Sequence, residues 1–485
     1  MNFSEIISTL SSWIWGMPFI IFCLGTGLYF SWRTRFLQIR YFKRMITMLL
    51  KGKSSASGIS SFQAFTLALS GRLGMGNIAG VATAIAFGGP GAVFWMWVIA
   101  FVGAGTAYVE SSLAQVYKEK IDGNYRGGPA YYILKGLKNK AFAFAFAIVT
   151  IVALGILLPG VQANAICDAF QHSFGIEPYI SAIGIVILLA FIIFGGVRRI
   201  ANVGEIVIPF MAIGYLIVVA FILIVNYQHI PAVYALIVKS AFGLESAFGG
   251  MVGAAISTGV KRGIFSNEAG QGTGAHAAAA CEVSHPAKQG LVQAFSIYID
   301  TWLINSATAF VILILGTYRV YDGSIENVIY TGPEMLESVT TFGTVYTQLA
   351  VDATIPGFGS IFVAIALFLF AFTTIMSYYF QAESNVYFLF RNEKTAFYMI
   401  QLLRVVLLFV SFFTAINTMT FAWDLADIGV GMMAWLNLIA LVLLRKVSLK
   451  VFKDFEIQCR SGIKEPVFRS KQLGMENTEI WDNME

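Results

Sequence analysis

Two polar, glycine-rich stretches lie inside hydrophobic segments that are long enough to cross a bilayer. The first is Ser70–Gly80 (S-G-R-L-G-M-G-N-I-A-G) and the second is Ser257–Gly274 (S-T-G-V-K-R-G-I-F-S-N-E-A-G-Q-G-T-G). At membrane depth, backbone outside the helical hydrogen-bonding pattern is tolerated only when it is buried in protein or lines a cavity. A pair of interrupted spans is typical of the substrate site of a secondary transporter. Both stretches are therefore predicted to face one interior binding site.

The first stretch has the chemistry of an ion and carboxylate site. Its four glycines each cost up to about 1 kcal/mol relative to alanine inside a helix, so some compensating role is expected. A half-helix that begins after a break offers free N–H groups to a carboxylate, and the half-helix before it offers carbonyl oxygens to sodium. The alternative is a small-residue face for close helix packing. Arg72 and Asn77, both polar, favour binding.

The second stretch carries more charge. Lys261, Arg262, Ser266, Asn267 and Glu268 precede its last glycines. A charge at the bilayer centre costs at least ~2.5–3.5 kcal/mol on insertion scales, so Glu268 is expected to have a polar partner. Its carboxylate could bind a proton or another cation, or it could cap unwound backbone, and the structural role is favoured.

Further polar residues lie within predicted spans. Gln162 and Asn164 lie on the fourth span, Asp300 on the eighth, and Thr373 and Thr374 on the ninth. A threonine hydroxyl in a membrane helix usually donates to the carbonyl four residues earlier, which is the structural alternative to a ligand role for both threonines. Asp300 is expected to be a paired structural charge.

Composition narrows the class of protein. Of 485 residues, 57% are hydrophobic and 12% are charged, whereas a soluble protein has about a quarter charged residues. The chain is thus predicted to be a polytopic membrane protein, in contact with lipid. Its net charge of +5 reflects topology and does not indicate nucleic-acid binding.

Other functional classes lack their signatures. His276, His285 and the four cysteines have no spacing typical of a metal site or an activated nucleophile, so neither an enzyme nor a bound cofactor is predicted. The cysteines are interpreted as small apolar fillers. A channel would need repeated filter elements or rings of charge, whereas the polar groups here cluster at one depth.

Eleven apolar runs of roughly 20 residues can each cross the hydrocarbon core. They lie near 13–32, 61–87, 91–117, 142–168, 178–197, 203–226, 246–280, 289–316, 356–388, 397–417 and 421–444. The seventh and ninth runs are too long for one straight crossing and must be broken, tilted or extended. Because Met1–Ile20 lacks the charged start and cleavage site of a secretory signal, the first run is expected to remain as an anchor.

Basic residues predict the orientation. The connection after the first span has seven of them and no Asp or Glu, which is typical of a cytoplasmic loop. The seven residues are Arg33, Arg35, Arg40, Lys43, Arg44, Lys51 and Lys53. The N-terminus is therefore predicted outside and, after an odd number of spans, the C-terminus in the cytoplasm.

The positions of the interrupted spans predict an inverted repeat. The second interrupted span follows the first by five spans, and an odd offset makes the second copy enter the membrane from the opposite side. The predicted halves are 61–226 and 246–444. An extra N-terminal helix with its basic connection, 1–60, precedes them, and a cytoplasmic tail, 445–485, follows.

Four motifs carry a family resemblance. They are Gly71–Trp97 (G-x-x-G-x-G-N-I-A-G-V-A-T-A-I-A-x-G-G-P-G-A-V-F-W-M-W), Gly127–Ile133 (G-G-P-A-Y-Y-I), Val161–Asn164 (V-Q-x-N) and Lys261–Gly270 (K-R-G-I-F-S-N-E-A-G). Together they resemble the alanine or glycine:cation symporter family over about residues 10–445. That family is similar in fold to the bacterial leucine transporter, with five-plus-five inverted helices behind one extra N-terminal span.

The resemblance implies a sodium site between the first broken helix and the ninth span. Its ligands would be the carbonyl oxygens of Ser70, Leu73 and Phe370 and the hydroxyls of Thr373 and Thr374. Sodium would be the coupling ion, with no other cofactor.

The resemblance also implies a substrate site in the same place. The carboxylate of a small neutral amino acid would meet the backbone of Gly74, Met75, Gly76 and Asn77. Its amino group would meet Gln162 and the unwound seventh span near Phe265, Ser266 and Asn267. Phe265 and Met75 would enclose its side chain.

The implied function is sodium-coupled symport of alanine or glycine across the cell membrane by alternating access. Family members often have Thr or Ser where Met75 stands and a small hydroxyl residue where Arg72 stands. Both departures alter the pocket, and Arg72 could pair with Glu268 or Asp300. Glutamine or a D-amino acid is therefore the alternative substrate. Oligomeric state has no signature in the sequence.

Overall fold

The protein is described by a computed structural model that covers residues 3–51, 55 and 57–482. It is helical apart from two short hairpins. Met1 of the predicted N-terminal region, Lys53 of the predicted basic connection and residues 483–485 of the predicted tail lie outside the described residues.

The N-terminal part and the first half are helical bundles with one hairpin. The N-terminal helices are α1 (Phe3–Ile14), α2 (Met17–Arg33), α3 (Leu37–Arg40) and α4 (Phe42–Lys51). The first half contains α5 (Ser61–Arg72), α6 (Ala79–Gly88), α7 (Gly91–Val116), β1 (Glu119–Ile121), β2 (Asn124–Arg126), α8 (Pro129–Gly136), α9 (Lys140–Val152), α10 (Pro159–Phe174), α11 (Pro178–Ile193) and α12 (Gly196–Val225).

The second half has a similar set of elements. After α13 (Ile230–Ala241) come α14 (Val252–Asn267), α15 (Thr273–Ala279), α16 (Pro286–Ile297), α17 (Ser306–Leu315), β3 (Arg319–Tyr321), β4 (Val328–Thr331), α18 (Thr344–Thr354), α19 (Gly359–Leu389), α20 (Glu393–Ala415) and α21 (Met419–Leu443). The tail contains α22 (Arg445–Arg460) and α23 (Glu479–Asp482).

The order of elements is repeated between the halves. Each opens with a broken helix pair, α5/α6 or α14/α15, and continues with a long helical segment, an antiparallel hairpin and a short helix. Three further long helical segments complete each half. The boundaries 61–226 and 246–444 and the inverted relation of the halves stay predictions.

The lengths and apolar surfaces of these helices suit a membrane. Within the described ranges, eight helices are long and apolar enough to span a bilayer, and helix occupies all eleven predicted runs. On α12 the outward face is apolar, with Ile206 and Phe210 each 73% exposed and Ile224 71% exposed. Such a face suits lipid rather than water.

The first break is narrower than predicted. Ser70 to Arg72 remain in α5, which ends where the Leu73 N–H donates to the Leu69 carbonyl. A single 3-10 turn, Met75–Asn77, then connects to α6. The two half-helices therefore extend into the stretch Ser70–Gly80 from both ends, because glycine and small residues are accommodated within them.

The second break is also shorter and lies later than predicted. Helix α14 continues to Asn267, and the chain leaves it at Glu268, Gly270 and Gly272, which have φ of +58°, +86° and +86°. The expectation that Phe265 to Asn267 are unwound is wrong. The polar residues near the end of α14 find partners on neighbouring helices, so they do not require the helix to open.

Two helical segments contain π-helical turns. One joins α9 to α10 at Ala153–Leu157, and the other joins α16 to α17 at Tyr298–Asn305. A π-helix bonds residue i to i+5 and widens the helix locally, a feature often found at functional sites. The second π segment carries Asp300 and Asn305 to the two breaks.

Candidate functional site

The end of α5 meets the middle of α19 at a group of oxygen atoms. The Thr374 hydroxyl oxygen lies 2.9 Å from the Ser70 carbonyl oxygen and 3.2 Å from that of Leu73. It also lies 3.0 Å from the Phe370 carbonyl oxygen. One hydroxyl has a single hydrogen to donate, so the three carbonyls offer more acceptor capacity than Thr374 can satisfy. Such a set of oxygens can ligate a hard cation.

Thr373 takes a different position on the same helix. Its hydroxyl lies 2.9 Å from the Leu369 carbonyl oxygen and 3.0 Å from that of Phe370. The bond to Leu369 is the usual four-residue bond of a membrane-helix threonine. The structure therefore brings Thr373 beside the oxygen group through Phe370, whereas Thr374 alone of the two contacts α5.

The backbone N–H groups of the first break are bonded by amide side chains. The Gly74 N–H donates to Asn77 Oδ1 at 2.8 Å, and the Met75 N–H donates to Gln162 Oε1 at 2.9 Å. Gln162 is held in turn by Tyr378, whose hydroxyl lies 3.4 Å from Gln162 Nε2. The two amide oxygens occupy the positions that carboxylate oxygens take at a helix start. The break can thus exchange an amide for a carboxylate.

Close approach explains the glycines of the first break. A Cβ on Gly74 would lie 2.6 Å from the Thr374 hydroxyl oxygen and 3.0 Å from Gln162 Oε1. A Cβ on Gly76 would lie 3.2 Å from the Ser266 Cα and 3.3 Å from Phe265 Cδ1. The first break therefore lies directly against α19 and against the end of α14.

Four polar side chains join the first break to the end of α14. Asn77 Nδ2 lies 2.7 Å from Asp300 Oδ1 and 2.7 Å from Asn305 Oδ1. The Ser266 hydroxyl lies 3.0 Å from both Asp300 carboxylate oxygens. The prediction that Asp300 is a paired structural charge is wrong, because its bonded partners are neutral donors, which include Thr301 at 2.6 Å. No basic side chain of the described ranges pairs with it within 4.0 Å.

Asn267 and Glu268 close the end of α14. Asn267 Nδ2 donates to the Thr301 hydroxyl at 3.3 Å, and its Oδ1 accepts from the Ala269 N–H at 3.0 Å. Glu268 accepts a hydrogen bond from the Thr273 hydroxyl at 2.9 Å. The expected polar partner of Glu268 is therefore confirmed, and it comes from the first turn of α15.

Arg72 lies at the end of α5 and points toward α16. Its Nη1 donates to Gln293 Oε1 at 3.2 Å and to the Ser296 hydroxyl. The expectation that it could pair with Glu268 or Asp300 is wrong, since it forms no ion pair within 4.0 Å in the part of the chain that the structure describes. Two of its nitrogens, Nε and Nη2, have no hydrogen-bond partner there.

Aromatic rings and a charge cluster cover one side of the site. Phe265 packs edge-on against Trp423, with ring centroids 4.8 Å apart. The Arg262 guanidinium lies 3.9 Å from the Trp423 ring centroid. Asp427 accepts from Arg262 Nη2 at 2.5 Å and from Lys261 Nζ at 2.6 Å. Lys261 and Arg262 thus share the single carboxylate of Asp427 on α21, which lies outside the break.

The structure adds residues that the sequence reasoning missed. Asn305 follows Asp300 by five residues, and only the π-helical turn places both on one face. Trp423 and Tyr378 had no signal beyond being aromatic residues within apolar runs. Asn164, by contrast, lies away from the site and donates to the carbonyl of Asn417 at 2.8 Å.

Comparison with known proteins assigns the chain to a family. The sequence model of the "Sodium:alanine symporter family" matches residues 1–470. The chain is 54% identical over 479 residues to the "Putative sodium/proton-dependent alanine carrier protein YrbD" of Bacillus subtilis, covering 99% of this chain and 98% of that protein. It is 50% identical to the "Sodium/proton-dependent alanine carrier protein" of Bacillus sp. strain PS3, covering 90% and 97%.

A solved structure shares the fold. The chain superposes on a sodium-coupled sialic acid symporter, described as a substrate-bound outward-open state, with a TM-score of 0.52 and 13% identity over 98% of this chain and 97% of that one. The predicted class, an all-helical polytopic membrane protein with the leucine-transporter-like fold, is confirmed.

Proposed function

Because the chain belongs to the sodium:alanine symporter family, we propose that it carries alanine, or the similarly small glycine, into the cell together with sodium. Membership makes it a membrane transporter rather than an enzyme. The relatives at 54% and 50% identity are both named sodium/proton-dependent alanine carriers. We therefore include a proton as a second coupling ion in the proposal.

The convergence of α5 carbonyls on Thr374 is the observation that carries the proposal. Sodium would bind the carbonyl oxygens of Ser70, Leu73 and Phe370 and the hydroxyls of Thr373 and Thr374. A sodium ion there would contact all three carbonyl oxygens at once, whereas the single hydroxyl hydrogen of Thr374 can be donated to only one of them at a time. It would also join α5 to α19, so sodium occupancy would favour the conformation in which these helices are in contact.

The substrate carboxylate would bind at the first break. The N–H groups of Gly74 and Met75, now bonded by the side-chain oxygens of Asn77 and Gln162, would donate to it, with the Gly76 backbone beside them. These groups lie at the positive end of the dipole that α6 begins. A carboxylate would gain charge-assisted hydrogen bonds that are roughly twice as strong as those of neutral amides.

The substrate amino group would bind at the end of α14. The last carbonyls of a helix have no intrahelical partner and carry a partial negative charge, so those of Phe265, Ser266 and Asn267 suit an ammonium group. The Asp300 carboxylate, 3.0 Å from the Ser266 hydroxyl, adds a negative charge on the same side. The backbone that would bind the amino group is therefore helical, whereas unwound backbone was expected at these residues.

Bulky side chains limit the size of the substrate. Met75 is fully buried and Phe265 is 4% exposed, and Trp423 packs on Phe265. A Cβ on Gly80 would lie 3.6 Å from the Trp423 ring, so this ring also covers the start of α6. Close walls leave room for the methyl group of alanine more readily than for the side chain of glutamine.

Uptake into proteoliposomes tests the proposed function. Purified protein should accumulate radiolabelled alanine when sodium is high outside and low inside, and should not do so without the gradient. Competition with unlabelled L-alanine, D-alanine, glycine and glutamine ranks the substrates. Alanine accumulation that is independent of sodium would overturn the proposal. If glutamine or D-alanine competes most strongly, that amino acid is the preferred substrate instead of L-alanine.

We also infer that the N-terminus lies outside the cell and the C-terminus inside. Arg40, in the basic first connection, bonds to Glu456 on α22. The first connection and the tail therefore lie on the same side of the protein, as an odd number of spans requires. A cysteine introduced at the exposed Lys43 should resist an impermeant thiol reagent in intact cells. Labelling from outside would reverse the assignment.

A further inference from the structure

The C-terminal tail folds back onto the end of α7. Trp481 is 1% exposed, and its Nε1 donates to the Gln115 carbonyl at 2.9 Å. Its ring packs edge-on against Phe468, with centroids 5.1 Å apart, and lies 5.2 Å from Lys118 Nζ. Residues 461–482, the tail strap, are therefore anchored near their end by a buried indole.

The residues that contact Trp481 also hold the end of the second broken helix. Lys118 Nζ and Gln115 Nε2 each donate to the Cys281 carbonyl at 2.9 Å. Gln115 Nε2 donates in addition to the Ala278 carbonyl, on α15. Cys281 is fully buried and lies just after the end of α15. The anchor of the tail strap and the end of α15 thus share the same two side chains.

A second set of contacts joins the tail strap to the connection between α15 and α16. The Phe468 N–H donates to the Ser284 carbonyl at 2.9 Å, and the Ser284 hydroxyl donates to the Pro466 carbonyl at 2.7 Å. His285 is fully buried, and its ring centroid lies 5.4 Å from that of Phe468. Its Nε2 lies 3.0 Å from Asp454 Oδ2 on α22. This connection is therefore held both by the tail strap and by α22.

The same connection is bonded to the chain just before the first broken helix. The Ile59 N–H donates to the Ala280 carbonyl at 3.0 Å, and the Glu282 N–H donates to the Ile59 carbonyl at 2.9 Å. Helix α5 begins shortly afterwards, at Ser61. The outer ends of α5 and α15 are thus joined to each other, and the tail strap is bonded to the segment that joins them.

The space between α5 and α19 is narrow on this side. Leu67 on α5, Phe380 on α19 and Ala280 line a cavity of about 30 Å³. It has room for roughly one or two water molecules, so an amino acid does not fit. Ser70 of the proposed sodium site follows Leu67 along α5. Passage of sodium and alanine to this side therefore requires α5 and α19 to separate.

We propose that the tail strap holds the cytoplasmic ends of α5 and α15 together, and that Trp481 must be released before the carrier opens to the cytoplasm. This inference rests on the proposed function and on the proposed orientation. Each of the two half-helices is separated from its partner by a break, so it can tilt without carrying the other half. The strap keeps both in the closed position, and its release frees them to move apart from α19.

The attachment of the strap suits repeated release. Near its end, Glu479 lies 2.6 Å from Lys135 Nζ on α8, and Glu476 lies 2.8 Å from Lys138 Nζ. Both glutamates are exposed, and ion pairs at a surface stabilise weakly and are screened by salt. The buried indole of Trp481 therefore supplies more of the hold than these ion pairs, which makes it the position to test.

Labelling of Cys281 tests the hold. Purified protein in sodium-free detergent solution is treated with a maleimide, and mass spectrometry reads each cysteine separately. Cys281 should react slowly in wild-type protein and at least ~10-fold faster in Trp481→Ala, because removal of a buried aromatic side chain weakens the attachment of the strap. Trp481→Phe keeps a ring but loses the bond to Gln115, so its rate should lie between the two. Cys167, buried on α10, is the internal control and should stay unreactive in all three proteins.

A cleavable tie tests the need for release. In Lys135→Cys combined with Glu479→Cys, a reagent that joins the two thiols through disulfides fixes the strap close to Trp481. Sodium-driven alanine uptake by proteoliposomes should be lost after this reaction and should return when a reductant removes the tie. Each single variant, treated in the same way, is the matched control and should keep its uptake.

Each outcome decides the proposal. An unchanged Cys281 rate in Trp481→Ala, or full uptake by the tied protein, overturns the role of the strap and leaves the proposed function intact. If Trp481→Ala does not fold, or if its Cys167 also reacts, Trp481→Phe decides by the same comparison of Cys281 rates. Absence of sodium-driven uptake in wild-type protein overturns the function instead, and the Cys281 rates then decide only whether the strap holds the end of α15.

Discussion

The two broken helices differ in the side chains that accept hydrogen bonds from their free backbone N–H groups. In the first break the N–H groups of Gly74 and Met75 are bonded by amide side chains, which a ligand can replace. In the second break the Gly272 N–H already donates to a carboxyl group, that of Glu110. The two breaks therefore differ in the acceptors of their free N–H groups, which are neutral amides in the first and a carboxyl group in the second.

Glycine serves a different purpose in each break. Gly74 has φ −134°, a conformation open to any residue, and is required because α19 and Gln162 approach it closely. Gly272 has φ +86°, in the left-handed region that disfavours a side chain. The first break thus depends on space beside the backbone, whereas the second depends on the backbone conformation itself.

The largest effect is expected from Gly74→Ala. The new Cβ would lie 2.6 Å from the Thr374 hydroxyl oxygen, so it would displace both the oxygen group and Gln162. Sodium-driven alanine uptake should be lost, with expression retained. Gly80→Ala is the matched control, because its Cβ would meet nothing closer than 3.6 Å. Equal uptake by the two variants would show that space at Gly74 is not needed.

Sodium affinity should separate the two threonines of α19. Thr374→Val removes the oxygen that contacts the carbonyls of Ser70 and Leu73, and the sodium concentration for half-maximal uptake should rise about 10- to 100-fold, or ~1.4–2.8 kcal/mol. Thr373→Ala should also raise this concentration, but by less, because its hydroxyl is bonded within α19. An unchanged value in both variants would remove the sodium site from this position.

Gly272→Ala should destabilise the second break. A side chain at φ +86° is strained, and its Cβ would lie 2.3 Å from Pro129 Cγ. We expect a loss of about 1–3 kcal/mol, seen as a lower Tm of the purified protein. Gly253→Ala, on α14 with open space around its Cβ, is the control and should be neutral or slightly stabilising. A Tm unaffected by Gly272→Ala would mean that this conformation is not constrained.

The smallest effect is expected at Met75, whose side chain helps to wall the first break. Met75→Thr replaces a flexible thioether with a shorter hydroxyl side chain. Sodium dependence should remain, and the ranking of glycine, alanine and glutamine should change by the order of 1 kcal/mol, the low end of the ~1–3 kcal/mol expected per methylene. Competition assays measure this. The same ranking in an active variant would place Met75 away from the substrate.

Much of the first break could be predicted from sequence, and less of the second. Gly74, Gly76 and Asn77 were predicted to lie in broken helix because polar and glycine residues interrupt an apolar run. The same pattern placed the second break too early, at Ser257. Local composition does not reveal that Arg262, within α14, pairs with Asp427, 165 residues later.

Sequence by itself determined the membrane character, the positions of the apolar runs and the presence of two interruptions. These properties depend on hydropathy and helix propensity, which act over tens of neighbouring residues. Only the tertiary structure decided where each helix ends and which side chain satisfies each exposed backbone group. Glu110 reaches Gly272 across 162 residues of sequence, and Thr374 reaches Ser70 across 304. Such bonds depend on how the helices pack, because a buried N–H or carbonyl is satisfied by whichever polar atom the fold places beside it.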